Sequence, residues 1–200
     1  VAYRSDTIAK DPVYLSNPAE STLLFRHAQI NRPEAALIGV QYAYNTVRSD
    51  MMVGDCNNWV CAGTGLIAGD TLPGLLGYEV DALTPSSPPG AVAVMASPYT
   101  CLNPFPGCSN NPTQYAHMTF YSAASGATVF ATGSMNWNFG LDEFGPNARF
   151  ISAQAQQITR NVINRFVNAT AAASTNRAFA LEQERSSTTP VLPSSGGGCT

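Results

Sequence analysis

Glu79 is the strongest catalytic candidate among the few side chains of this chain that are suited to chemistry. It lies at the C-terminal end of an apolar run, in the segment Gly-Tyr-Glu-Val-Asp. In α/β sheets the ligand crevice lies at the carboxyl ends of parallel strands, where a partly dehydrated carboxylate becomes a better general base. A structural role, in which the carboxylate accepts backbone N–H groups of a neighbouring loop, explains the same placement. We predict Glu79 as the catalytic residue and leave the structural interpretation open.

Other catalytic signatures are absent from the sequence. It contains no phosphate-binding loop, no Gly-x-Ser-x-Gly elbow and no His-Glu-x-x-His pair. The two histidines, His27 and His117, are interpreted as a surface residue and a structural residue of a strand, respectively. No residue is therefore assigned as a metal ligand, and no cofactor is assigned to this chain.

Three aromatic residues are candidates for a substrate pocket. Trp137 and Phe139 lie in a Gly- and Asn-rich segment that follows a strand, and Tyr78 precedes Glu79. The glycines around the first two indicate a close approach of the backbone to another group. Aromatic residues after a strand also commonly cover the end of a sheet, so core packing is the alternative.

The five cysteines form two closely spaced pairs and one isolated residue. Cys56 and Cys61 form one pair, Cys101 and Cys108 form the other, and Cys199 stands alone. We predict two local disulfides, each closing a short loop. Unpaired buried thiols and a metal site remain alternatives, although zinc sites favour tighter spacings on turns with supporting histidines.

The composition indicates a secreted, extracellular protein. Only 12% of the residues are charged, against roughly 25% in typical soluble proteins. The net charge of −3 predicts no nucleic-acid partner, and no apolar run is long enough for membrane insertion. Asn168 begins a glycosylation sequon. The chain has no initiator Met, so we expect it to start inside a longer precursor with further domains.

The apolar pattern predicts a mixed α/β fold. Four buried strands are expected, at Ala35–Ala43, Asn58–Ala62, Leu75–Asp81 and Ala91–Ala96, with a further short buried element at Thr22–Phe25. Their continuous apolar runs are typical of strands covered on both faces. A hairpin should join His117–Ala123 to Thr128–Thr132, because Gly126 supplies the positive φ of a short turn.

A single long helix is predicted over residues 150–172. Ile151, Ala155, Ile158, Val162 and Phe166 recur at the helical period and form one stripe that should pack across the sheet. The predicted organisation is a loop-rich opening segment at 1–34, an α/β core at 35–172, and a Ser/Thr/Pro/Gly-rich linker or tail at 173–200.

Four stretches of the chain resemble one known family. They are NRPEAALIGVQY, NWVCAGTGLIAGDTLPGLLGYEVD, TFYSAASGATVFATGSMNWNFGLD and AQQITRNVINRF, and they occur in family order across most of residues 31–166. The chain resembles the C-terminal α/β part of the large (β) subunit of N,N-dimethylformamidase, a part that recurs in secreted bacterial modular proteins.

The resemblance implies a fold and an activity. The fold would be a partial flavodoxin-like or class I glutamine amidotransferase-like sheet with a terminal β-hairpin and a C-terminal helix. The activity would be hydrolysis of a small amide C–N bond with an iron ion held by Tyr, His and Glu. Glu79 best matches the carboxylate that assists the attack. The metal ligands find no match here, so we expect iron only in the full-length domain, with ligands upstream of Val1.

Three functions compete at this point. The first is an amide hydrolase acting on a small-molecule substrate, with Glu79 as its carboxylate. The second is a non-catalytic binding or spacer module of a secreted multidomain protein, which would recognise an extracellular ligand. The third is a carbohydrate-related role, which no residue directly supports.

Overall fold

The computed structural model of the protein describes residues 10–21, 23–28, 30–102, 108, 110, 112–143 and 148–168. The chain divides into two compact units, residues 1–162 and 163–200. In the second unit the description reaches only residues 163–168, which are helical. The sheets and the core described below belong to the first unit.

Five strands form two antiparallel sheets in the described part of the chain. The first sheet pairs β1 (Gln41–Met52) with β2 (Thr71–Ala82), and the second has the order β3 (Val92–Tyr99), β4 (Gln114–Ser122) and β5 (Thr128–Ala131). The sheets meet where Val53, just after β1, bridges to Met95 of β3. Beside this bridge the amide of Met52 donates a hydrogen bond of 2.9 Å to the hydroxyl of Ser97.

Helical structure is limited to short segments and one longer helix. Helix α1 spans Ala35–Ile38 and ends at Gly39, which adopts a φ of +90°. Helix α2 covers residues 153–168, and the Ser152 hydroxyl caps its first turn by accepting the amide N–H of Ala155. Short 3-10 segments lie at Pro18–Glu20, Trp59–Cys61, Met135–Gly140 and Ala148–Phe150.

The hydrophobic core joins both sheets to the start of α2. It includes Leu75, Leu76 and Val80 of β2, Val94 and Met95 of β3, Met118 of β4, and Ala155 and Ile158 of α2. Gly140 allows a close approach between α2 and β2 in this core. A Cβ added there would lie 2.8 Å from Leu75 and 2.9 Å from Ala155, so any side chain would push α2 away from β2.

Several sequence predictions are confirmed by this fold. The strands predicted at Leu75–Asp81 and Ala91–Ala96 lie in β2 and β3, apart from the first residue of the second. The predicted hairpin is formed by β4 and β5, and its turn residue Gly126 has a φ of +84°. The mixed α/β class and the C-terminal helix are also observed. The flavodoxin-like detail is not confirmed, because every strand pair among the described residues is antiparallel.

Two predicted strands are wrong. Ala35–Ala43 begins as helix α1 and becomes strand only from Gln41, because Gly39 ends the helix and redirects the chain. Asn58–Ala62 is a 3-10 turn, capped by the Asn58 side chain, which accepts the amide N–H of Val60 at 3.0 Å.

Two predictions of burial also need correction. The segment Thr22–Phe25 does not form a buried element in its described residues, since Leu24 and Phe25 are exposed. The helix begins at residue 153 rather than 150, so Ile151 precedes it and is exposed. Its stripe is nevertheless buried at Ala155, Ile158 and Val162, whereas Phe166 is exposed.

Candidate functional site

Glu79 lies on β2, half-buried, opposite Asn45 of β1. Two residues further along the strand is Asp81, which shares the face of Glu79 because side chains alternate along a strand. Directly across from Asp81 is Tyr42 of β1. The antiparallel register therefore brings two carboxyl groups and a phenol together on one patch of the sheet. We call Glu79 and Asp81 the carboxylate pair, and Tyr42 is the phenol beside it.

The electrostatics of this patch favour a protonated carboxyl at Asp81. Burial raises the pKa of Asp81, the neighbouring Glu79 charge raises it further, and the Arg26 guanidinium acts in the opposite direction. Burial and Glu79 likewise raise the pKa of the Tyr42 phenol, again against Arg26. A carboxyl group of raised pKa beside a second carboxylate can hold and pass on a proton.

Arg26 is the cation of this patch, and it is itself held in place. Its guanidinium lies 5.8 Å from the centre of the Tyr42 ring and forms an ion pair with Glu34. The guanidinium therefore connects the loop before α1 to the outer face of β1. The sequence interpretation missed Arg26, Tyr42 and Asp81. The position of Asp81, two residues after Glu79 on a predicted strand, was the one available signal.

A cleft of about 570 Å³ opens at the other end of the β1–β2 sheet. We call it the arginine cleft, and its main lining side chains are Arg48, Tyr78, Asn136, Phe139, Arg149 and Phe150. Two of the predicted pocket residues, Tyr78 and Phe139, therefore line the same cleft. Glu79 is not part of this lining, so the structure separates the predicted catalytic carboxylate from the predicted aromatic wall.

The aromatic wall of the cleft depends on a glycine. Phe139 and Phe150 stack with ring centres 6.4 Å apart and planes inclined by 22°. Gly74 lies beneath this pair with a φ of +71°, and a Cβ there would come within 2.1 Å of the Phe150 ring. The amide of Gly74 also donates a hydrogen bond of 2.8 Å to Oδ1 of Asp50. These contacts fix the position of the Phe150 ring over β2.

The side of the cleft that carries Asn136 is built on a buried serine. The hydroxyl of Ser134 accepts the amide of Gly77 at 3.0 Å and lies 2.7 Å and 2.8 Å from the carbonyl oxygens of Leu75 and Gly77. The amide N–H of Asn136 points to the same hydroxyl at 3.3 Å. One buried hydroxyl thus ties the turn that presents Asn136 to the middle of β2.

Trp137 and His117 are structural in their described surroundings. Trp137 is buried, and its indole N–H donates a 3.1 Å hydrogen bond to the hydroxyl of Thr159 on α2, so it does not line the cleft. His117 accepts the amide of Leu83 through Nδ1 at 3.2 Å. Burial lowers the pKa of His117, which keeps its imidazole neutral and able to accept that bond.

Both predicted disulfides are formed. Cys56 pairs with Cys61 and Cys101 pairs with Cys108, with Cα–Cα distances of 5.3 Å and 6.0 Å that are usual for such bridges. These four cysteines are thereby excluded as free thiols or metal ligands. Cys199 lies outside the described residues. Asn168 is exposed at the end of the described part of α2, and its glycosylation stays a prediction.

The iron site that the family resemblance implies stays a prediction. Nowhere in the described part of the chain do three or more His, Cys, Asp or Glu side chains gather closely enough to hold a metal ion.

No described helix is both long and apolar enough to cross a membrane.

The chain forms a mixed α/β domain. The face of the β1–β2 sheet that carries the carboxylate pair is polar. The family model described as N,N-dimethylformamidase beta subunit-like, C-terminal, matches residues 1–152, and the chain belongs to this family. Three of the four resembling stretches lie within that match, and the fourth, in α2, follows it. No curated protein matches the chain.

Proposed function

We propose that the chain is the C-terminal portion of an N,N-dimethylformamidase-like domain that hydrolyses the C–N bond of a small amide. The observation that carries this proposal is the carboxylate pair on β2, in which Glu79 stands beside a carboxyl of raised pKa, Asp81. The family match across residues 1–152 supports the same reaction class. The predicted iron would have its ligands in polypeptide upstream of residue 1, and no step below depends on it.

The proposed role of Glu79 is to move a proton. It accepts a proton from water as the water oxygen bonds to the amide carbon, and it returns the proton to nitrogen as the C–N bond breaks. The products are a carboxylic acid and an amine. Asp81, whose pKa is raised by burial and by the neighbouring Glu79 charge, can hold a second proton beside it.

The test uses the full-length protein that contains this chain. Release of formate from N,N-dimethylformamide should fall by roughly 100-fold or more in Glu79→Gln, the range typical of a lost general base. Glu20→Gln makes the same chemical change at an exposed position and should keep wild-type activity. Unchanged hydrolysis in Glu79→Gln would remove Glu79 from the mechanism.

The second candidate function is a non-catalytic binding or spacer module. The arginine cleft favours it, because this cleft offers cationic and aromatic groups on a fixed framework without Glu79 in its lining. Full-length wild-type protein that binds a ligand but releases no amine from any small amide would support this function over hydrolysis.

We also propose that the protein is secreted. Two disulfides per chain persist most readily in an oxidising compartment. The low charged fraction of 12% and the Asn168 sequon are consistent with the same location.

A further inference from the structure

The arginine cleft combines two unpaired cations with an aromatic wall. The guanidinium groups of Arg48 and Arg149 both line it, and neither is ion-paired with any residue that the structure describes. The one carboxylate in the lining is Asp50, whose Oδ1 already accepts the amide of Gly74. The cleft is therefore locally cationic in a chain whose net charge is −3.

The position of Arg149 links the cations to the aromatic wall. Its guanidinium lies 4.7 Å from the centre of the Phe150 ring, and Phe150 in turn stacks with Phe139. A flat ring placed against these aromatics would therefore lie next to a guanidinium group. Arg binds carboxylates through two parallel N–H···O bonds, and aromatic pairs add stacking energy beyond simple burial.

The framework around the cleft is fixed before any ligand arrives. The Ser134 hydroxyl holds the turn that carries Asn136, and the Asp50–Gly74 hydrogen bond holds the strand below Phe150. A preorganised site loses less conformational entropy on binding. The volume of about 570 Å³ also falls in the range of small-molecule sites, roughly 300–1,000 Å³.

We propose that the arginine cleft binds an aromatic carboxylate, with the carboxylate on Arg48 and Arg149 and the ring against Phe139 and Phe150. A simple inorganic anion would use the arginines and leave the aromatic wall empty. A neutral aromatic compound would use the wall and leave both cations without a counter-ion. The site is separate from the carboxylate pair, so this inference does not depend on amide hydrolysis.

The experiment is a calorimetric titration of the protein with benzoate, benzamide and acetate at low ionic strength. Benzoate should bind at one site, and benzamide and acetate should each bind roughly tenfold or more weakly, because each lacks one half of the recognition. Equal affinity for benzoate and acetate, or for benzoate and benzamide, would overturn the proposal.

Charge variants locate the site. Arg48→Gln and Arg149→Gln should each weaken benzoate binding roughly tenfold or more. Arg160→Gln removes the same charge at an exposed position of α2 outside the cleft and should bind benzoate as the wild type does. Equal binding by all three variants would contradict the assignment. All three positions are exposed, so circular dichroism should show that each variant is folded.

A last variant tests benzoate binding independently of the proposed amide hydrolysis. Glu79→Gln removes the proposed base but leaves the cleft lining intact, so its benzoate affinity should be unchanged. Amide chemical shifts of isotopically labelled protein should move at Gly74, Asn136 and Phe150 when benzoate is added. Shifts confined to Tyr42 and Asp81 instead would place the ligand on the carboxylate pair and overturn the proposal.

Discussion

At the scale of single residues, the neighbour of a predicted catalytic group proved as informative as the group itself. Glu79 was found from its position at the end of an apolar run, and the structure adds Asp81 and Tyr42 around it. The register that places Tyr42 opposite Asp81 pairs two residues that lie 39 positions apart in the sequence, and a local pattern carries no information about it. Asp81 could have been predicted, because residues i and i+2 of any strand share a face.

The raised pKa of Asp81 leads to a prediction about stability and pH. A carboxyl whose pKa is higher in the folded than in the unfolded chain binds more protons when folded. Its ionisation therefore costs stability, and this cost appears as pH rises above its ordinary value of 3.8 and levels off above the folded pKa. Asp81→Asn removes the cost, so the variant should gain stability relative to the wild type across that interval.

The measurement is urea unfolding of both proteins at pH values from 3 to 8. The difference in unfolding free energy should be smallest at acidic pH and grow towards neutrality. Glu20→Gln, a carboxyl-to-amide change at an exposed position, supplies the matched control. A difference between Asp81→Asn and wild type that stays constant with pH would contradict the assignment.

At the scale of elements, glycines decide where the chain turns and how closely the elements approach. Gly39 ends α1 and Gly126 forms the β4–β5 turn, and the sequence pattern recognised the second but not the first. The difference is physical. Gly126 separates two alternating runs that are close in sequence, whereas Gly39 lies inside an apolar run that favours strand and helix equally.

Gly74 gives a prediction about the aromatic wall. Gly74→Ala must place a methyl group against the Phe150 ring and adopt a φ near +71°. Gly126→Ala has a similar φ of +84° but open space around its Cβ. The shared backbone strain costs about 1–2 kcal/mol, and overpacking adds about 1–3 kcal/mol at Gly74 alone. Gly74→Ala should therefore be the more destabilising change.

A double-mutant cycle isolates that contact. In a Phe150→Ala background the ring is gone, so the added cost of Gly74→Ala should fall to that of Gly126→Ala. Urea unfolding of these four variants against wild type gives the coupling energy. A cost at Gly74 that is the same with and without the Phe150 ring would show that the ring moves aside freely.

At the scale of the whole molecule, the boundary of the family match and the boundary of the core do not coincide. The match ends at residue 152, yet α2 starts at residue 153 and buries Ala155, Ile158 and Val162. Sequence periodicity predicted this stripe, because a helix records its buried face locally at every third or fourth residue. The partner surface on β2 could not be predicted, since it comes from strands 70 or more residues earlier.

Specific contacts hold the first turns of α2 in place within the first unit. The Asn161 side chain donates hydrogen bonds of 2.8 Å to the carbonyl oxygens of Val60 and Ala62. The hydroxyl of Thr159 accepts the indole N–H of Trp137, on the turn that leads from the cleft. The first turns of α2 therefore cover the core and satisfy backbone groups of the turn that carries the Cys56–Cys61 bridge.

A truncation series tests which boundary governs folding. A chain that ends at residue 152 loses the burial of Ile158 and Val162, worth about 1.5–3 kcal/mol each, and exposes the surface of β2 that they cover. Against a total stability of about 5–15 kcal/mol, this loss should leave the shortened chain largely unfolded by circular dichroism and amide dispersion.

A chain that ends at residue 172 retains the whole stripe and removes only the predicted linker, so its free energy of unfolding should stay within about 0.5 kcal/mol of the full chain. A cooperative unfolding transition of wild-type strength in the chain ending at residue 152 would show that the family boundary is also the boundary of the folding unit.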